Sequence, residues 1–82
     1  MITPAQCRAS RAWLRWTLDD LAAKSRVSKA TLHNFERETR VPHDRTLADI
    51  RRALEEAGVE LEFDGAAGIG IRVARPGQPI AG

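Results

Sequence analysis

Apolar positions recur at helical spacing in four stretches of the chain and then switch to strict alternation. In the first stretch Cys7, Arg11 and Leu14 share a face, with Ser10 alongside, and Thr3-Pro4-Ala5-Gln6 ahead of it forms a capping box with Pro at the first helical position. Cys7 therefore reads as a small core hydrophobe rather than a reactive thiol. Thr17 caps the second stretch, whose first turn carries Asp19 and Asp20 and whose inner face is Leu18, Leu21, Ala22 and Ser25. Arg26 and Val27 make a turn, and Ser28 caps the third stretch. Leu47, Ile50, Leu54 and Ala57 give a fourth helix over residues 44–57, with Gly58 as its terminator. Val59, Leu61 and Phe63 then alternate with Glu60, Glu62 and Asp64, and after a Gly-rich turn at residues 65–68, Ile69, Ile71 and Val73 alternate with Gly70, Arg72 and Ala74. Period two on both sides of glycines predicts a β-hairpin.

The third helix is divided lengthwise. At about 100° per residue, Thr31, Leu32, Phe35 and Glu36 fall on one arc, and Lys29, Ala30, His33, Asn34 and Arg37 fall on the other. Val27, Leu32 and Phe35 can close over Leu21 and Ala22 and clamp the two short helices at a steep angle. The opposite arc is then free. Its small, amide, imidazole and cationic groups suit the floor of a DNA major groove, where base edges offer donors and acceptors.

On these residues the segment LAAKSRVSKATLHNFER resembles the helix-turn-helix of the Cro and lambda-repressor-like family, also called the xenobiotic-response-element family of bacterial and phage regulators. The pattern is carried by Leu21-Ala22, Val27-Ser28, Thr31-Leu32 and Phe35-Glu36, and the resemblance covers about residues 3–57. It implies a mainly α fold: a lambda-repressor-like four-helix domain with a helix-turn-helix, here followed by the C-terminal β-hairpin where a fifth helix is usual. It also implies that the second helix of the pair enters the major groove. Position by position, Ser28, Lys29, Ala30 and Asn34 take base-reading places, and Thr17, His33, Arg37 and Arg40 lie near phosphates. Arg11 is expected to pair with Glu36 and to be turned toward a phosphate, the alternative being a solvated side chain. The chain departs from the family where Arg26 and Glu38 stand at common glycine positions and where Leu18 replaces a frequent Gln. Arg26 is thus expected to carry a positive φ.

Charge sharpens this picture. The net charge is +2, yet residues 1–54 hold eleven Arg or Lys against six Asp or Glu, while residues 55–82 hold two against five. The basic half is the helix-turn-helix half. Eleven of the thirteen cations are Arg, the better residue for bidentate phosphate and guanine contacts, although a GC-rich genome would also enrich Arg. Cys7 is alone, which fits a reducing compartment; no apolar run reaches the roughly 18 residues of a membrane span, and the N-terminus lacks a signal-peptide core. A cytoplasmic protein, bacterial or phage-encoded, is expected.

Other chemistry finds little support. Cys7, His33 and His43 are too scattered for a metal site, the pairs Asp19-Asp20 and Glu55-Glu56 diverge around their helices, and the glycines of DGAAGIG precede no helix. Neither an enzyme nor a cofactor is expected. Trp16 is expected between the first two helices and Trp13 partly exposed. The domain plan is a DNA-binding unit over residues 1–58, a hairpin over 59–75 and a flexible tail over 76–82. A two-stranded hairpin is marginal alone. It is expected to pair with a second subunit through Val59, Leu61, Phe63, Ile69, Ile71 and Val73, giving a homodimer on a palindromic operator; the alternative is packing on its own first and fourth helices. Two competing readings stand beside that regulator: an antitoxin-type protein whose C-terminal segment binds a second protein, and a pure protein-interaction module.

Overall fold

The computed structural model describes residues 1–73, so the expected tail and residues 74 and 75 of the expected hairpin lie outside the described residues. Four helices precede two strands: α1 Pro4–Leu14, α2 Leu18–Ser25, α3 Lys29–Glu36, α4 Asp44–Glu56, β1 Val59–Asp64 and β2 Ala67–Val73. Three of the four helix starts carry a side-chain cap, and α4, which follows His43, starts without one. Thr3 and Gln6 form the reciprocal capping box of α1, Thr17 and Asp20 that of α2, and the Ser28 side chain caps α3. The helix ends rely on the left-handed region. Arg15, Arg26 and Glu38 have φ of 58°, 60° and 60°, and Gly58 ends α4 at φ 98°. For a non-glycine residue that conformation costs about 1–2 kcal/mol, which the neighbouring packing must offset.

One core joins all six elements. Leu21, Leu32, Ile50, Leu54 and Val59 are almost wholly buried, and Cys7 is 0% exposed among them. The hairpin is part of this core. Its antiparallel register pairs Val59 with Val73 and Leu61 with Ile71, β1 rests on α4, and β2 rests on α1. Val59 and Leu61 are 1% and 4% exposed, and Phe63, Ile71 and Val73 pack against the core from its margin.

This arrangement corrects the expected dimer face. Val59 and Leu61 meet the chain's own helices, because α1 and α4 leave apolar surface that the alternating face of the hairpin covers. The register shifts between Glu62 and Phe63, where Phe63 faces Gly68 while Glu62 faces Gly70, so that Ile69 is the unpaired extra residue of a bulge. Ile69 is accordingly 67% exposed and parted from the inward set. Gln6 reaches the hairpin at the same place, its Nε2 donating to Glu62 O at 2.8 Å and Gly70 O at 3.0 Å. Gly68 permits that approach, since a Cβ there would lie 2.6 Å from Gln6 Cδ and 2.7 Å from Thr3 Cγ2.

Candidate nucleic-acid interface

Leu32, Phe35 and Glu36 are the buried residues of α3, and Lys29, Ala30 and His33 are exposed, with Asn34 half-buried at the boundary. The division of the helix into a packed arc and a free arc is therefore present in three dimensions. Lys29 Nζ lies 3.4 Å from Asp19 Oδ2 on α2, an exposed pair with little energetic weight. Ser28 Oγ accepts from Thr31 N at 3.2 Å and donates to Thr31 Oγ1 at 2.8 Å, so its hydroxyl is engaged by the cap. Thr17 is similarly engaged: its N–H donates to Asp20 Oδ2 and its Oγ1 accepts from Asp20 N.

A groove of about 450 Å³ runs between α3, the loop of residues 37–43 and the start of α4. Ala30 and Asn34 line it from the helix, Arg40, Val41 and His43 from the loop, and Thr46 from α4. Asn34 and Arg40, expected at a base and a phosphate, are thus neighbours in one concavity. Its lining does not include Lys29, His33 or Arg37, which stand exposed outside it. The loop is tied to the helix by Thr39, whose N and Oγ1 donate to Asn34 O at 3.0 and 3.1 Å. Residue spacing did not single out Val41 or Thr46. For Val41 a signal existed, an apolar residue before Pro42 in a polar loop, whereas Thr46 joins the groove only through the angle between α3 and α4.

Behind the packed arc Arg11, Glu36 and Cys7 form a hydrogen-bonded cluster. Arg11 Nη2 donates to Glu36 Oε1 at 2.8 Å and Nε to Oε2 at 2.9 Å, a two-pronged pair in which Arg11 and Glu36 side chains are 24% and 7% exposed. Arg11 Nη1 donates to Trp16 O at 2.9 Å, so this guanidinium is a brace between α1, α3 and the start of α2 and has little left for the phosphate expected of it. The Cys7 thiol donates to Glu36 Oε2 at 3.2 Å, and Arg8 Nη1 donates to the Glu36 carbonyl. Burial alone would raise the Glu36 carboxyl. Hydrogen bonds from Arg11 and Cys7 and the charges of Arg11 and Arg8 outweigh it and hold the group below its usual range. Burial, then the bond to Glu36, pushes the Cys7 thiol far above its ordinary value, so Cys7 stays protonated.

The paired carboxylates are structurally occupied, Asp20 in its cap and Glu55 3.2 Å from Arg51. Among the described residues no group of three His, Cys, Asp or Glu is arranged to hold a metal, and no helix is long and apolar enough to cross a membrane. A family model described as helix-turn-helix matches residues 8–61, from within α1 to the third residue of β1. No curated protein matches the chain.

Proposed function

The chain belongs to this Cro- and lambda-repressor-like helix-turn-helix family of DNA-binding regulators, and from that premise we propose that it recognises a specific operator as a homodimer. The observation that carries the reading is the free arc of α3 beside a groove whose lining includes Arg40 and His43. In this account Lys29, Ala30 and Asn34 read base edges, with Ser28 at the start of the helix. Arg37, Arg40, His33 and the Thr17 hydroxyl meet phosphates on either side. Binding over or beside a promoter then blocks or recruits polymerase in the cytoplasm.

The dimer contact is assigned to the outer side of the hairpin. Its two-stranded sheet has no further strand on either edge among the described residues, and the bulge presents Ile69. Val59 and Leu61 take no part, being core. A two-fold pair sets the recognition helices about 34 Å apart, so a palindromic site with half-sites about one turn apart is the matching ligand. The same open edge suits strand addition by a second protein, the antitoxin-type reading. Co-purification of an unrelated chain bound at residues 59–73 favours that reading over self-association.

Binding is expected to be strongly salt-dependent, because residues 1–54 carry eleven cations against six carboxylates. Arg40→Ala is expected to lower the slope of log K against log[salt] by about 1. Fluorescence anisotropy of a labelled duplex at several salt concentrations measures it. A flat dependence, or no binding at low salt, removes DNA as the partner and leaves a protein-interaction module.

A further inference from the structure

Among the described residues four large apolar side chains are notably exposed, Met1, Trp13, Val41 and Ile69, and Val41 is the one that lines the groove beside α3. It is 86% exposed in a loop whose other residues from 37 to 40 are all charged or polar. Against a phosphate a valine does nothing that a cation would not do better. Its backbone is restricted by the following Pro42 to extended conformations, and its β-branched side chain has few rotamers. Holding it against a ligand therefore costs little conformational entropy. Ala30, exposed at the start of the free arc, lines the same groove and adds a second methyl.

We propose that Val41, together with Ala30, receives the 5-methyl group of a thymine, which makes the loop after the recognition helix a determinant of sequence preference. Among the groups that base edges present in the major groove, that methyl is the apolar one. Asn34, which lines the same groove, is placed to meet the polar edge of a base beside that methyl, and Arg40 keeps the phosphate contact assigned above. The inference rests on the DNA-binding reading above and names the base that the groove prefers.

The test begins with selection of preferred duplexes from a random-sequence pool by the native protein. Each thymine of the selected site is then replaced in turn by deoxyuridine, which removes only the methyl. One position per half-site is expected to lose about fourfold in affinity, the equivalent of one buried methyl group. Val41→Ala, at a side chain outside the core, is expected to bind the thymine and uracil forms of that position equally while keeping its thermal midpoint. The proposal is overturned if no thymine is sensitive, if Val41→Ala keeps the full sensitivity, or if it weakens every duplex alike, which would place Val41 against the sugar-phosphate chain. Failure to select any sequence overturns the DNA-reading premise itself, a result distinct from the other three.

Discussion

Arg11→Ala is expected to destabilise the domain by about 3 kcal/mol, the lower end of the range for stripping one partner from a buried ion pair, because Arg11 keeps some contact with solvent. The mutation leaves Glu36, 7% exposed at its side chain, without its two-pronged partner and frees the Trp16 carbonyl from its bond. In a domain of this size the thermal midpoint should fall by about 12–24 °C. Circular dichroism melts of the two proteins measure it, and a fall of only a few degrees would show that water replaces the pair. The pH dependence follows from the same cluster. Since the folded protein holds the Glu36 carboxyl low, its ionised form contributes stability at neutral pH, and that contribution is lost as pH falls through the lowered value. Glu36→Gln, although less stable at pH 7, is expected to lose less on acidification than the native chain.

A larger loss is expected from truncation after Gly58. Residues 1–58 lack Val59 and Leu61, and Gln6 loses its acceptors at Glu62 and Gly70. Emptying two buried aliphatic sites costs about 2–5 kcal/mol each when the rest of the structure stays in place, which together approaches the whole stability of a small domain. The shortened chain should show weak helical circular dichroism and no cooperative melt. A sharply melting, fully helical fragment would mean that the hairpin is an appendage. Gly68→Ala probes the same joint in the intact chain, since its new methyl overlaps Gln6 and Thr3.

Local chemistry makes much of this legible in the sequence. Thr3, Thr17 and Ser28 announce helix starts within a few residues, and the pattern from Leu21 to Glu36 identifies both the turn and the packed arc. Arg26 at φ 60° and the Arg11–Glu36 pair follow from the family resemblance, because those positions are set by the helix-turn-helix itself. What stayed hidden depends on contacts distant in sequence. The alternation of Val59, Leu61 and Phe63 says that one face is covered but cannot say by what. Here Gln6, more than fifty residues away, is bonded to both strands beside the bulge. Ile69 falls out of the inward set because a bulge breaks period two there, and its local mark, the flanking Gly68 and Gly70, fits a turn equally well. Arg11 illustrates the limit within the site, where the sequence supplies the partner but not the Trp16 carbonyl that occupies its other arm.

Whether α3 reads bases is decided most directly by comparing one pair of variants on two kinds of DNA. Lys29→Ala and Asn34→Ala change the free arc without touching the core, and each is expected to lower affinity for the selected site by about 1–3 kcal/mol, roughly 5- to 150-fold, with a much smaller loss on random duplex. Footprints on the selected site should show two protected half-sites about one helical turn apart. Equal losses on selected and random DNA would reduce Lys29 and Asn34 to backbone contacts and contradict the account.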